Sequence, residues 1–259
     1  MSPLARSGHA SLNMYPFPPL RAAYERYWAA VHRRAPWAPA VLDWERPLAE
    51  VWVAPDLVVG QTCGWPLVTS LHHRVRVLGA FEPMVASAEG HRYRSLIVAT
   101  RDAEIHSFAG SVAAVNSADS LSGWISLVTA VIGAGGTWRG EVVHTGAHLE
   151  SVRALHERRA EVASIDAVSW AHISTFHPGL VADLVVVGNG PLVGSLPLIT
   201  AASTTDDQLA ELRLALSGAF AEREAGAAML VARMSGFVPL DVADYSALTA
   251  LRPGRTVGP

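Results

Sequence analysis

The stretch "GSVAAVNSADSLSGWISLVTAVIGAGG" at residues 110–136 joins an apolar β-type run to an apolar helical run through small hydroxyl residues and glycine. A helix that begins this way leaves backbone N–H groups available in its first turn, and such groups bind anions. The same residues are also ordinary helix caps, because serine and aspartate are favoured there whether or not a ligand binds. The stretch therefore predicts a strand–turn–helix unit with an anion site or a simple cap at Ser120, Ser122 and Gly123.

The composition is that of a globular protein without a charge pattern for nucleic acid. Of 259 residues, 50% are hydrophobic and 17% are charged, so the chain can bury one large core or two. A net charge of −3 and an isoelectric point near 6.4 indicate neither a nucleic acid nor an anionic membrane as partner. The single cysteine, Cys63, excludes an internal disulfide and a cysteine-based zinc site.

The beginning of the sequence bears on the compartment. "MSPLARSGHASLNMY" has no apolar segment of the secretory type, which predicts a cytoplasmic protein as the sequence stands, and a periplasmic one if a signal segment has been removed. No window is apolar over the length that a bilayer requires, so we expect no membrane insertion.

The order of apolar runs predicts an α/β fold with two lobes. Short β-type runs alternate with longer helical patterns, which favours a largely parallel sheet. The pattern restarts near residue 101 after "VRVLGAF" and "RSLIVA", which complete the strands of the first lobe. We therefore predict lobe 1 from residues 1–100 and 199–259, and an inserted lobe 2 from residues 101–198. Two chain crossings, near 99–104 and 187–198, would form a hinge.

Polar residues collect where the predicted strands end, which is where open α/β sheets bind ligands. They also suit ordinary turns, since loops are rich in Gly, Ser, Thr and Asp. The strand-end residues are Tyr15, Gln61, Thr62, Cys63, Ser117 to Gly123, Thr145 to His148, and Asp166.

Five motifs occur in one order from about Ala10 to Leu248: "DLVVGQTCG", "YRSLIVATRD", "NSADSLSGW", "HTGAHLESVRALHERRAEVASID" and "MSGFVPLDVADYSAL". In these motifs and their order the sequence resembles the substrate-binding proteins of phosphate, phosphite and phosphonate ABC transporters. The resemblance implies a two-lobed fold of the type II periplasmic-binding-protein kind, closing around a small oxyanion. It also implies an ABC transporter permease as partner, and neither a cofactor nor a metal.

The resemblance assigns most of the anion contacts to the second lobe. It implies that Ser120, Ser122 and Gly123 cradle the phosphonate oxygens and that His148 donates to them from the next helix start. Tyr93 matches a tyrosine that precedes the crossing into the second lobe. Neither motif contains a basic residue, which suits recognition by neutral donors at helix ends.

The remaining implied contacts concern the rest of the ligand. Asp166 falls near the family's polar position for the organic end of the ligand, where an amine would find a carboxylate. From the other lobe, the resemblance implies that Tyr15, Gln61, Thr62 and Cys63 line the site.

Other readings of these residues stay open at this point. An enzyme on the same scaffold would use Cys63 as nucleophile on a pyrimidine- or thiamine-like substrate, with His148 and Asp166 supplying the base that activates the thiol. A cytoplasmic sensing protein of the same fold would bind the ligand without transport. A Ser-His-Asp triad is disfavoured, since the sequence has no Gly-x-Ser-x-Gly turn. A metal at His144 and His148 is disfavoured because the pair spans a strand-to-helix turn.

Overall fold

The structure is a computed structural model that describes residues 8–251. The chain forms two compact units. Within the described residues, unit 1 comprises 8–84, Gly90–Arg92 and Gly194–Ser246, and unit 2 comprises Val85–Glu89, Tyr93–Val193 and 247–251. The lobe boundaries expected from the sequence stay a prediction.

Unit 1 is built on a five-stranded sheet in the order β1-β2-β10-β3-β11. Its strands are β1 (His9–Ser11), β2 (Leu57–Gln61), β3 (Val75–Pro83), β10 (Pro197–Ala201) and β11 (Met234–Pro239). Only β1 and β2 pair in parallel, whereas β10 runs antiparallel to both β2 and β3, and β11 runs antiparallel to β3. The expectation of a largely parallel sheet is therefore wrong for unit 1, because β10 returns to the middle of the sheet in the opposite direction.

The helices of unit 1 pack around α1. They are α1 (Arg21–Arg34), α2 (Leu48–Val51), α3 (Gly64–Pro66), α8 (Asp206–Ala221) and α9 (Arg223–Val231), with 3₁₀ turns at Pro18–Leu20 and Val242–Leu251 and a π-helical turn at Leu67–Leu71. Helix α1 packs on α8 and α9 through its apolar face, where Tyr27 is fully buried and donates to the Leu216 carbonyl at 2.8 Å. Helix α8 begins at a capping box, in which the side chains of Thr205 and Gln208 each accept a hydrogen bond from the backbone N–H of the other residue.

Unit 2 has a second sheet in the order β4-β5-β8-β6-β7, with β9 paired to β5. Its strands are β4 (Ala88–Glu89), β5 (Arg92–Ala99), β6 (Ala113–Val115), β7 (Val142–His144), β8 (Val162–Ile165) and β9 (Val185–Gly194). Strand β8 lies between β5, to which it is antiparallel, and β6, to which it is parallel. The run "RSLIVA", which we expected among the strands of the first lobe, lies in β5 of the second sheet.

The helices of unit 2 follow the strand ends. They are α4 (Ser126–Gly133), α5 (His148–His156), α6 (Ala167–Phe176) and α7 (Pro178–Val181), with a 3₁₀ turn at Ile105–Phe108 and a π-helical turn at Leu121–Ile125. Helix α4 packs its buried Leu127, Val128 and Val131 against the sheet. The predicted strand–turn–helix unit at 110–136 is thus present as β6, the π-helical turn and α4. No helix within residues 8–251 is long and apolar enough to cross a membrane.

Candidate functional site

The turn after β6 is capped by its own serine. Ser120 has an extended backbone, and its Oγ accepts the N–H of Gly123 at 3.0 Å. The N–H groups of Trp124 and Ile125 both donate to the Ser120 carbonyl at 3.1 Å. The capping alternative is therefore observed, since the N–H of Gly123 donates to Ser120 Oγ, and the expected contact of Gly123 with an anion stays a prediction.

Two N–H groups of the same turn remain uncommitted. Leu121 and Ser122 precede the first residue whose N–H bonds back into the turn, and among the described residues neither N–H has a backbone acceptor. Such groups carry the positive end of the helix dipole. The turn therefore offers two backbone donors for an anion in addition to the Ser122 hydroxyl.

A hydrogen bond joins this turn to the start of α5. Ser122 Oγ and His148 Nε2 lie 2.9 Å apart, and Ser120 Oγ lies 3.4 Å from Ser122 Oγ. His148 is the first residue of α5, and the preceding Ala147 has an extended backbone without a capping side chain. Gly146 makes the turn into α5 with a φ of +84°, a conformation that favours glycine. Ser122 and His148, which the sequence places 26 residues apart, are thus side by side.

The surroundings of His148 favour the neutral form of its imidazole. Burial lowers its pKa below the usual value of a histidine, and the negative charge of Asp166 opposes this shift without cancelling it. The Nδ1 atom is buried and has no hydrogen-bond partner among the described residues. A neutral ring carries one N–H, so His148 can donate one hydrogen bond to a ligand while the other nitrogen accepts.

Asp166 and Tyr93 are bonded to each other inside unit 2. The Tyr93 hydroxyl donates to Asp166 Oδ2, and Asp166 Oδ1 accepts the N–H of Ser169 at 2.7 Å as the cap of α6. Both side chains are buried, at 3% and 2% exposure. The pair thus holds β5 to the start of α6, a structural role beyond the ligand contacts predicted for both residues.

Four of the predicted site residues lie in unit 1, near the ends of the parallel strands β1 and β2. Tyr15, Gln61 and Thr62 are buried, and Cys63 is half-buried at the start of α3. The N–H of Thr62 donates to the Pro197 carbonyl at 3.0 Å, which fixes the loop to β10. The expected ligand contact of these four residues stays a prediction.

Comparison with known proteins decides the family. The model of the family described as "ABC transporter, phosphonate, periplasmic substrate-binding protein" matches residues 67–245. The chain belongs to this family. The resemblance to the substrate-binding proteins of phosphonate transporters and the predicted fold class are thereby confirmed. No curated protein matches the sequence.

Solved structures of phosphonate-binding proteins share the fold. A binding protein component of an ABC phosphonate transporter from Pseudomonas aeruginosa is 15% identical, with a TM-score of 0.70 over 90% of this chain and 80% of that one. PhnD1 from Prochlorococcus marinus, in complex with methylphosphonate, is 10% identical, with a TM-score of 0.70 over 90% and 91%. The periplasmic aliphatic sulphonate binding protein SsuA from Escherichia coli is 13% identical, with a TM-score of 0.50 over 90% and 77%.

The two helix starts give this phosphonate-family protein a set of neutral donors in unit 2. Ser122 contributes a hydroxyl, His148 one ring N–H, and the first residues of each helix contribute backbone N–H groups. Short neutral donors of this kind suit a tetrahedral oxyanion. Within residues 8–251, no three His, Cys, Asp or Glu side chains are grouped so as to hold a metal ion.

Sequence reasoning missed Ser164, whose hydroxyl donates to the Ser122 carbonyl at 2.6 Å. The signal was available in "EVASID", because residues two apart on a strand share a face, and Asp166 was already a candidate. A serine hydroxyl on a buried face of a strand requires a hydrogen-bond partner.

Proposed function

We propose that this protein binds a small phosphonate- or phosphate-like oxyanion at the helix starts of unit 2. The observation that carries the proposal is the hydrogen bond between Ser122 Oγ and His148 Nε2, which holds the polar ends of two helix starts together. Preorganised donors lose little conformational entropy when a ligand arrives, so more of the interaction energy appears as affinity.

The donors suit an anion without the help of a cation. The uncommitted N–H groups of Leu121 and Ser122 and the uncapped start of α5 place positive dipole ends at the site. Ser122 is only 9% exposed, so hydrogen bonds made there compete little with water. On binding, the ligand would accept the hydrogen bond that now joins Ser122 Oγ and His148 Nε2.

We propose transport as the role, with a permease of the ABC type as partner and the periplasm as compartment. The family's description supports both. We propose no chemistry on the ligand, and the enzymatic reading of Cys63 has no support from the family. Recovery of unaltered methylphosphonate after prolonged incubation, measured by ³¹P NMR, would agree with this, and any new phosphorus resonance would contradict it.

Isothermal titration calorimetry tests the binding proposal. The purified protein is titrated with methylphosphonate, phosphite, phosphate and sulfate at one pH and ionic strength. We expect at least one phosphorus oxyanion to bind about tenfold or more tightly than sulfate. No binding of any phosphorus oxyanion would refute the proposed function, and equal affinity for sulfate would refute selectivity for phosphorus.

A further inference from the structure

Ser164 holds the turn that carries Ser122 from beneath. Its Oγ donates to the Ser122 carbonyl at 2.6 Å, and both residues are buried, at 1% and 9% exposure. The bond is made to a backbone group of Ser122, the residue that presents its hydroxyl to the proposed site, and not to that hydroxyl itself.

The Ser122 carbonyl does not accept the N–H that a regular α-helix would give it. In such a helix the N–H of Ser126 would donate to the Ser122 carbonyl, four residues earlier. Here the N–H of Ser126 donates to the carbonyls of Gly123 and Leu121 instead, as the π-helical turn requires. Ser164 supplies the Ser122 carbonyl with a donor from the sheet.

The strand that carries Ser164 is a fixed support. Strand β8 is bonded on both sides, with Ser164 opposite Ile97 of β5 and the neighbouring Ala163 opposite Ala114 of β6. Interior strands of a sheet are among the most stable parts of a fold. A bond from this strand therefore fixes the Ser122 backbone more firmly than a contact from a loop would.

We propose that Ser164 is a positioning residue, which sets the Ser122 backbone so that Ser122 Oγ meets His148 Nε2. The effect on ligand affinity rests on the proposed function, whereas the effect on His148 does not. The carbonyl of Ser122 is held from the sheet and its hydroxyl from α5, and these two bonds fix the side chain between them.

The first test compares Ser164→Ala with a matched variant, Ser195→Ala. Ser195 is also buried, and its Oγ donates to the Phe81 carbonyl at the same distance of 2.6 Å, but it lies in unit 1. We expect both variants to lose a similar amount of stability in urea unfolding. Only Ser164→Ala should weaken methylphosphonate binding, by about tenfold. Equal affinity of wild type and Ser164→Ala would overturn the proposal.

The second test needs no ligand. The ring ¹⁵N resonances of His148, assigned with a His148→Gln variant, report the tautomer and the hydrogen bond to Ser122. We expect them to shift in Ser164→Ala and to stay unchanged in Ser195→Ala. If Ser164→Ala does not fold, Ser164→Cys fills the space with a slightly larger and weaker donor and should give a smaller shift. Unchanged His148 resonances in a folded Ser164 variant would overturn the proposal even if no phosphorus oxyanion binds.

Discussion

Replacing Ser122 with alanine tests the donor that the proposed site depends on most. Ser122 Oγ lies 2.9 Å from His148 Nε2, and Ser122 is buried. The variant removes one donor to the ligand and leaves His148 without its partner on the Nε2 side. Losing a hydrogen bond in a desolvated site costs about 1–3 kcal/mol. The dissociation constant for methylphosphonate should therefore rise by about 5–150-fold.

The assay is calorimetric titration of the wild type and the variant at pH 7.5, with circular dichroism to confirm that both are folded. Ser117→Ala is the matched control, because Ser117 lies in the same stretch but donates to Asp119 Oδ1 at 2.7 Å in an exposed position. We expect the control to bind as the wild type does. A folded Ser122→Ala protein with an unchanged dissociation constant would refute the reasoning about the site.

Three further predictions concern pH, packing and capping. Burial lowers the pKa of His148 and of His9 below the unfolded value of about 6.5, so the unfolded chain binds more protons and stability falls as the pH drops below about 6.5. His148→Gln should reduce the change in the free energy of unfolding by up to about 1.4 kcal/mol per pH unit below pH 6.5, and His9→Gln should remove a separate part of this dependence. An unchanged pH dependence in either variant would be inconsistent with the burial effect. Gly123→Ala should cost about 1–3 kcal/mol in urea unfolding, because its Cβ would overlap Asn116 Oδ1, and adding Asn116→Ala should restore part of the loss; additive losses would exclude this overlap. Thr205→Ala should cost about 1 kcal/mol by removing the cap of α8, whereas an unchanged midpoint in urea would show that this cap adds nothing.

The sequence predicted local units better than sheet order. The run from β6 through the turn into α4 and the helices at 148–156 and 206–221 follow from hydrophobic periodicity and capping residues. The antiparallel return of β10 does not, since the pairing partner of a strand depends on contacts distant in the sequence. For the same reason "RSLIVA" gave no sign that it pairs with β8.

In the candidate site, too, local features were predictable from the sequence, whereas contacts between distant residues were not. The small hydroxyl residues before α4 and the histidine at the start of α5 were visible in the sequence, because helix starts have a local signature. Their meeting at 2.9 Å depends on how β6, β7 and β8 are ordered in the sheet. The bonds of Asp166 to Tyr93 and of Ser164 to the Ser122 carbonyl likewise cross between elements. The motif "EVASID" places Ser164 on a buried face of a strand, but it does not show which group Ser164 bonds to.

A crystal structure of the protein with methylphosphonate would locate the ligand itself. We expect phosphonate oxygens within about 3 Å of Ser122 Oγ and of a ring nitrogen of His148. We also expect at least one oxygen at the N–H groups of Leu121 and Ser122. Methylphosphonate bound elsewhere in the protein, with the bond between Ser122 and His148 intact, would show that the helix starts of unit 2 are not the binding site.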